Sequence, residues 1–255
     1  MIEYKVTERI AYITLNRPEK RNALSYELIS ELKIAFSKAA DDDQAKIIIL
    51  KANGDAFCAG ADLTYIQQLQ SNTYEENLAD SRYLKDLYYF MYTHPKVIIA
   101  QVQGHALAGG CGLATVCDFV FSVPEARFGY TEAKIGFIPA LVSVFLVNKI
   151  REGAARELLL SGEPVTAERA MIIGLINHVV EADKLEKTVL DFANRLINSN
   201  SATSMSLTKK LIAEIQGRPL EEALDLAAEM NAKARGTEDC KRGINAFLNK
   251  EKIIW

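Results

Sequence analysis

The order of apolar and polar positions divides the first half of the chain into strands and helices. The N-terminal segment YKVTERIAYITLN alternates apolar and polar residues around a short polar interruption, which predicts a β-hairpin. Three later segments, KIIILKA, KVIIAQV and DFVFSV, are short, rich in β-branched residues and almost uninterrupted, as buried strands are. The segment SYELISELKIAFSKAADD places Leu28, Leu32 and Phe36 at helical spacing behind Ser25, its predicted N-cap. This pattern predicts an α/β fold.

From about residue 152 the pattern changes to a succession of amphipathic helices. They are predicted in EGAARELLLSG, TAERAMIIG, LEKTVLDFANRLIN, TSMSLTKKLIAEIQ, LEEALDLAAEMNAKA and TEDCKRGINAFLNK. No Pro- or Gly-rich linker separates these helices from the first half. We therefore predict one continuous fold with a core over residues 1–195, which carries the site, and a helical C-terminal region over 196–255.

Composition and charge exclude several classes of function. The formal net charge is −3 and no dense Lys/Arg cluster occurs, so neither a nucleic-acid surface nor an anionic-membrane surface is expected. The N-terminus lacks the apolar core of a signal peptide, and no uncharged segment approaches the roughly 20 residues of a membrane span. The four cysteines and three histidines do not show metal-ligand spacing. We expect a soluble, cytoplasmic protein without a metal site.

Two glycine- and alanine-rich segments follow predicted strands. AFCAGADL (56–63) comes after KIIILKANG, and ALAGGCG (106–112) comes after KVIIAQVQ. At such a change from strand to helix, the first backbone N–H groups of the helix have no internal acceptor. Two of them directed at one point would hold an oxygen that becomes negative during a reaction, which is an oxyanion hole. Small residues also permit close helix packing, so either segment alone leaves both interpretations open.

Together with LNRPEKRNALS, RFGYTEAKIGFIP and AERAMIIGLINHVVE, these two segments resemble the crotonase superfamily of enoyl-CoA hydratases and isomerases. The resemblance covers essentially the whole chain. It implies a spiral of ββα units with a helical C-terminal trimerisation region, assembled as a homotrimer or a dimer of trimers. It also implies an acyl thioester of coenzyme A as the substrate, with coenzyme A entering as part of that substrate and no separate cofactor.

The resemblance also assigns site residues. The amides of Ala61 and Gly109 would form the oxyanion hole, and Glu132 in the segment FGYTE would be the general acid or base. Contacts to coenzyme A are expected at Arg21, Ala23, Leu24, Ala59, Asp62, Leu63 and, by reaching a neighbouring subunit, Lys250. The acyl pocket is expected to include Tyr65, Tyr130, Pro139 and Leu141.

At one position the sequence departs from the familiar pattern. Typical enoyl-CoA hydratases carry a second glutamate three residues after the oxyanion glycine, and Gly112 stands there in this chain. A single glutamate is compatible with adding water across a 2-enoyl-CoA, and equally with moving a double bond as an isomerase. We predict a hydratase, the commoner activity, with branched substrates such as methylglutaconyl-CoA included. The alternatives are an isomerase that uses Glu132, or a CoA-ester-binding or RNA-binding protein without catalysis.

Overall fold

The computed structural model describes residues 1–255. Its strands are β1 (Ile2–Thr7), β2 (Ile10–Leu15), β3 (Ile47–Ala52), β4 (Ala56–Cys58), β5 (Val97–Val102), β6 (His105–Leu107), β7 (Phe119–Ser122), β8 (Arg127–Gly129), β9 (Val165–Thr166) and β10 (His178–Val179). Its helices are α1 (Tyr26–Asp41), α2 (Leu63–Leu69), α3 (Tyr74–Thr93), α4 (Gly109–Thr115), α5 (Ala140–Lys149), α6 (Glu152–Ser161), α7 (Ala167–Ile172), α8 (Leu185–Ser199), α9 (Ala202–Glu214), α10 (Leu220–Arg235) and α11 (Glu238–Leu248).

The strands form two sheets that the chain visits in turn. The six-stranded sheet has the order β1-β2-β3-β5-β7-β10, and the four-stranded sheet has the order β4-β6-β8-β9. Strands β3, β5 and β7 of the larger sheet are each followed by a strand of the smaller sheet and then by a helix. Within each sheet, successive strands of these repeats pair in parallel. This repetition is the spiral of ββα units that the resemblance implied.

The larger sheet is buried on both faces, which explains its nearly continuous apolar strands. In β3, the side chains of Ile47, Ile48, Ile49 and Leu50 are at most 1% exposed. Helices α1, α8 and α9 pack against strands of this sheet, while α4 packs against β4 and β6 of the smaller one. Each fully buried aliphatic side chain of this kind contributes about 1.5–3 kcal/mol to folding. The core therefore fixes where β3 and β5 end, and the two glycine-rich segments begin near those ends.

The N-terminal predictions agree with the structure in detail. Strands β1 and β2 form an antiparallel hairpin, with Ile2 opposite Leu15 and Thr7 opposite Ile10. Helix α1 begins after Ser25, whose hydroxyl oxygen accepts a hydrogen bond from the Leu28 N–H at 3.3 Å. This cap satisfies one of the helix-start amides that otherwise lack an acceptor.

The second half contains all six predicted helices, and also two short strands. β9 pairs with β8, and β10 pairs with β7, so both sheets gain an edge strand from this part of the chain. The predicted boundary between residues 195 and 196 lies inside α8, and α9 is the first helix that lies wholly beyond it. Lys209 on α9 is buried and its ammonium lies 2.7 Å from Asp118 Oδ2, which attaches this region to the core. None of the helices is both long and apolar enough to cross a bilayer.

Candidate active site

The first glycine-rich segment is held by a short parallel bridge. The N–H of Leu24 donates to the carbonyl oxygen of Gly60 at 2.7 Å, and the N–H of Asp62 donates to that of Leu24 at 2.8 Å. This bridge pairs Leu24 with Ala61 through the carbonyl oxygen of Gly60 and the N–H of Asp62, the residues on either side of Ala61. The N–H of Ala61 therefore faces away from Leu24 and remains free to donate to a bound oxygen.

The second glycine-rich segment brings a strained residue against the first. Ala108, the N-cap of α4, has φ +48° and ψ −126°, a conformation that costs a non-glycine residue about 1–3 kcal/mol. Its N–H donates to the carbonyl oxygen of Gly129 at 2.7 Å, which helps to hold that conformation. Gly60, at φ +95°, lies so close that a Cβ there would be 2.7 Å from the Ala108 Cβ and 3.6 Å from the Gly109 nitrogen. Close packing of the two loops thus explains the small residues in both.

Gly109 is the first residue of α4, so its N–H has no acceptor within the helix. The free amides of Ala61 and Gly109 come from adjacent loops of the ββα spiral. The structure thus brings together the two groups that the sequence assigned to an oxyanion hole.

Glu132 begins a short 3-10 helix after β8. Its side chain is partly buried, and the Oε2 atom is inaccessible and has no hydrogen-bond partner within the chain. Burial raises the pKa of Glu132 above its ordinary value, because the ionised form loses solvation. A desolvated carboxylate with an unused oxygen is suited to accept and return a proton.

Position 112, where a second glutamate would stand, is closed. A Cβ on Gly112 would lie 2.3 Å from Val142 Cγ1 and 2.9 Å from the Tyr88 hydroxyl oxygen. The Tyr88 hydroxyl donates to the carbonyl oxygen of Gly109 at 2.8 Å, which connects α3 to the start of α4. Burial, with the negative charge of Glu132 among the further causes, raises the pKa of Tyr88, so this hydroxyl stays protonated. The side chains of Tyr88 and Val142 thus occupy the space of the missing carboxylate.

Six of the seven predicted coenzyme contacts lie together around the first loop. Ala59 donates its N–H to the carbonyl oxygen of Arg21 at 3.0 Å, and Leu24 bridges to Ala61. Ala23 and Leu24 are buried, whereas Arg21 and Leu63 are exposed. Lys250 follows α11, which packs against α9 and α10 in the C-terminal region. Within one chain, Lys250 therefore belongs to a different part of the fold.

The carboxylate of Asp62 already has partners inside the chain. It caps α2 by accepting from the Thr64 N–H at 2.9 Å, and it lies 2.9 Å from Arg17 Nη1. These two interactions outweigh burial and hold the pKa of Asp62 below its usual range. The side chain thus stabilises the loop that carries the Ala61 amide.

The residues predicted for the acyl pocket are distributed over three regions. Tyr130 is fully buried, and its hydroxyl lies 2.6 Å from Thr115 Oγ1, so it forms a hydrogen bond with the last residue of α4. The Tyr65 hydroxyl is hydrogen-bonded to Asp80. Pro139 caps α5, and Leu141 packs against the core from the first turn of that helix. Tyr130 therefore presents no accessible surface to a substrate, because core side chains surround it.

Sequence reasoning missed Asn22, which fixes the first loop. It is fully buried at φ +53°, a conformation that asparagine tolerates better than most residues. Its Nδ2 donates to the carbonyl oxygens of Asn53 and Ala56, both at 2.9 Å, and its Oδ1 accepts from the Arg17 N–H at 2.9 Å. The one sequence feature that could have indicated this role is the asparagine within the segment KRNAL. Tyr88 and Val142 were also missed, and no local sequence pattern marks either residue.

No group of three or more His, Cys, Asp and Glu side chains is arranged to hold a metal ion. Every group assigned to the chemistry above is a backbone amide or a carboxyl.

Comparisons with known proteins identify the family of the chain. The family model for enoyl-CoA hydratase/isomerase matches residues 5–255. The chain is 42% identical over 241 residues to a Thermus thermophilus protein whose name gives enoyl-CoA hydratase as a provisional assignment, covering 94% of this chain and 95% of that one. It is 32% identical over 247 residues to the crotonyl-CoA hydratase of Syntrophomonas wolfei, covering 96% and 94%.

Among solved structures, an enoyl-CoA hydratase from Shewanella pealeana superposes with a TM-score of 0.93 at 31% identity, covering 100% of this chain and 95% of that one. Likeness over the full length extends to both sheets and to the C-terminal helices. The chain therefore belongs to the enoyl-CoA hydratase/isomerase family, the crotonase superfamily, and is an enzyme with an acyl-CoA hydratase/isomerase function.

Proposed function

We propose that this enzyme adds water across the double bond of a 2-enoyl-CoA. The observation that supports the proposal is the partly buried Glu132 carboxyl with its unpartnered Oε2, in a fold that also leaves the amides of Ala61 and Gly109 free. The names of the hydratases to which the chain is similar favour hydration over isomerisation.

In the proposed reaction, the thioester oxygen accepts hydrogen bonds from the amides of Ala61 and Gly109. These amides stabilise the negative charge that develops on that oxygen when the enolate forms. Glu132 takes a proton from the attacking water while the water oxygen bonds to the β-carbon. The same carboxyl then returns a proton to the α-carbon, which yields a 3-hydroxyacyl-CoA and leaves the thioester intact.

A single carboxylate must perform both proton transfers, because Tyr88 and Val142 fill the space at Gly112. This closed space is also the observation that favours the second candidate, a double-bond isomerase. In that reaction Glu132 removes a proton from one carbon and returns it two carbons away, and no water has to be held. Both candidates use the same oxyanion amides and the same carboxyl.

The experiment that tests the proposal follows the oxygen atom. The purified protein is incubated with 2-enoyl-, 3-enoyl- and 3-methylglutaconyl-CoA esters in water labelled with heavy oxygen, and the products are read by mass spectrometry. Label in a 3-hydroxyacyl product supports hydration, and label from the methylglutaconyl ester extends it to branched substrates. A shifted double bond without label would replace hydration by isomerisation.

The matched control is Glu132→Gln, which keeps the size of the side chain and removes its ability to carry a proton. We expect this variant to lose turnover and to keep its affinity for CoA esters. Equal loss of turnover and binding would contradict a role of Glu132 in proton transfer.

We further propose that coenzyme A enters only as part of the substrate and that the protein assembles as a trimer or a dimer of trimers. Exposed apolar side chains on the last two helices support assembly, because Leu220, Leu224, Phe247 and Leu248 are 60–82% exposed in the single chain. Light scattering of the purified protein tests this, and a monomer at micromolar concentration would contradict it.

A further inference from the structure

An arginine that the proposed reaction does not use lies against the first glycine-rich loop. Nη1 of Arg17 is 2.9 Å from Asp62 Oδ2, and it donates to the carbonyl oxygen of Ala23 at 3.3 Å. Both side chains of this ion pair are largely buried, since 19% of Arg17 and 10% of Asp62 is exposed. Arginine and aspartate are rarely buried to this extent unless they are paired. The pair is therefore a packed part of the loop and not a surface contact.

The two contacts of Arg17 fall on the two segments that form the bridge between Leu24 and Ala61. Ala23 precedes Leu24 on one segment, and Asp62 follows Ala61 on the other. The bridge itself consists of two backbone hydrogen bonds, of 2.7 and 2.8 Å. One guanidinium nitrogen thus ties together the two segments beside the amide that the sequence assigned to the oxyanion hole.

The main chain of Arg17 is fixed as well. Its N–H donates to Asn22 Oδ1 at 2.9 Å, and its carbonyl oxygen accepts from the Asn22 N–H at 3.0 Å. Asn22 is itself fully buried. Because Arg17 is held both at its main chain and at the end of its side chain, its guanidinium is a fixed point against which the loop is placed.

Asp62 connects this fixed point to the amide of Ala61. The N–H of Asp62 belongs to the bridge, and its carboxylate also accepts from the Thr64 N–H at 2.9 Å, at the start of α2. Ala61 is exposed, whereas Asp62, the next residue, is buried. The amide that faces the site is therefore carried by a residue with few contacts of its own, and its position depends on the anchored residue that follows it.

We propose that Arg17 is a positioning residue of the oxyanion hole, which holds the Ala61 amide in place through Asp62 and Ala23. The inference rests on the proposed function in that the hole binds the oxygen of an acyl-CoA thioester. Arg17 acts through the loop and needs no contact with the substrate. Its loss should weaken a hydrogen bond that matters most when negative charge develops, so turnover should fall while affinity for the CoA ester is kept.

The first measurement reads the hole without turnover. Butyryl-CoA with heavy carbon at the thioester carbonyl is saturated and cannot be hydrated, and isotope-edited infrared difference spectroscopy isolates its carbonyl stretch. A hydrogen bond to the oxygen weakens the C=O bond and lowers this frequency. We expect the frequency to fall when the ester binds to the wild type, and we expect Arg17→Met to lose most of that shift at saturating ligand. A shift that survives Arg17→Met would overturn the inference.

The second measurement separates kcat from KM, with whichever ester of the labelled-water experiment the wild type converts. Removing one donor from an oxyanion hole lowers kcat by about a hundred- to a thousandfold. A displaced donor should cost less, so we expect Arg17→Met to lower kcat by about ten- to a hundredfold with KM nearly unchanged. A raised KM at unchanged kcat would show that Arg17 binds the coenzyme and would overturn the inference.

Further variants make the result specific. Arg17→Lys keeps a cation that can reach Asp62, so it should retain more of the frequency shift and of kcat than Arg17→Met does. Asp62→Asn keeps an acceptor for the Thr64 N–H and loses the ion pair, so it should lose part of the shift even if Arg17→Met fails to fold. The double variant Arg17→Met with Asp62→Asn should lose no more than Arg17→Met alone, because both changes remove the same contact. Additive losses, or an undiminished shift in Asp62→Asn, would overturn the inference.

The matched control is Arg195→Met, which removes the same charge from an exposed position on α8. We expect it to reproduce the wild-type frequency and kcat, and a loss equal to that of Arg17→Met would overturn the inference. Failure of the proposed function gives a different result. A wild type that shows the frequency shift but hydrates no ester would contradict hydration and leave the role of Arg17 testable by the shift. A wild type without any shift would contradict the oxyanion hole itself, and the inference with it.

Discussion

Substituting Gly112 by alanine tests the packing that closes the second carboxylate position. The new methyl group would lie 2.3 Å from Val142 Cγ1, about 1.1 Å closer than the 3.4 Å at which ordinary van der Waals contact begins. Overpacking of this kind costs about 1–3 kcal/mol. Against this, alanine in a helix is more favourable than glycine by about 1 kcal/mol. We expect a net loss of up to about 2 kcal/mol in the free energy of unfolding.

A matched glycine isolates the two contributions. Gly153 lies in α6, and a Cβ there would meet nothing within 4 Å. Gly153→Ala should therefore gain stability from helix propensity alone, by up to about 1 kcal/mol. The difference between the two alanine variants measures the overlap at position 112, and we expect it to be about 1–3 kcal/mol.

A double-mutant cycle identifies the neighbour that is responsible. Val142→Ala alone should destabilise the protein, because it removes buried methyl groups. Combined with Gly112→Ala it should also remove the overlap, so the double variant should be more stable than the sum of the two by at least about 1 kcal/mol. Urea unfolding followed by circular dichroism at one protein concentration gives these free energies. Additive effects, or a Gly112→Ala variant as stable as Gly153→Ala, would refute the packing argument.

Three further predictions concern single side chains. Burial raises the pKa of Glu132, so its ionisation at neutral pH opposes folding. Glu132→Gln should therefore raise the melting temperature at pH 7. This gain should shrink as the pH falls through the raised pKa, because the wild-type carboxyl then becomes neutral as well. A gain that is independent of pH would contradict this. Tyr88→Phe removes the hydrogen bond to the Gly109 carbonyl oxygen and should lower the free energy of unfolding by about 0.5–1.5 kcal/mol in urea titration. An unchanged free energy of unfolding would show that this hydrogen bond does not stabilise the fold. Asn22→Ala leaves the Arg17 N–H and the Asn53 carbonyl oxygen without a partner, while the Ala56 carbonyl oxygen keeps its bond from Gln103 Nε2. The substitution should cost about 2–4 kcal/mol in the same assay, whereas a loss below about 1 kcal/mol would show that water replaces the amide.

Local pattern was sufficient to predict most of the fold. The β-branched segments around Ile49 and Ile99 are buried on both faces, so their composition alone identified them as inner strands. The start of helix α1 could be predicted from Ser25, because an N-cap hydroxyl accepts a hydrogen bond from an N–H only three residues further along the chain. Strands β9 and β10 were missed, since two residues are too few to show any periodicity. They become strands only because β8 and β7 offer unpaired edges to them.

The candidate site likewise contains residues that local sequence motifs identify and residues that meet only through tertiary packing. Ala61, Gly109 and Glu132 belong to contiguous motifs, so the sequence could identify them as candidates. The packing of Tyr88 and Val142 around Gly112 could not be predicted, because the three residues lie on α3, α5 and α4 and meet only after these helices have packed. The spacing of Tyr88 along α3 shows that it can face the core, but not which residue of another helix it contacts there.

This distinction changes what the missing glutamate means for the reaction. From the sequence alone, glycine at position 112 indicates that no side chain at this position can orient water or move a proton. In the structure the side chains of Tyr88 and Val142 fill the space beside Gly112, so the Cβ of any other residue would overlap Val142 Cγ1. In the hydration proposed above, Glu132 would then be the one carboxyl that both holds the water and moves its proton. If it does so, hydration needs only Glu132 and the two amides; if it cannot, the same three groups can still move a double bond.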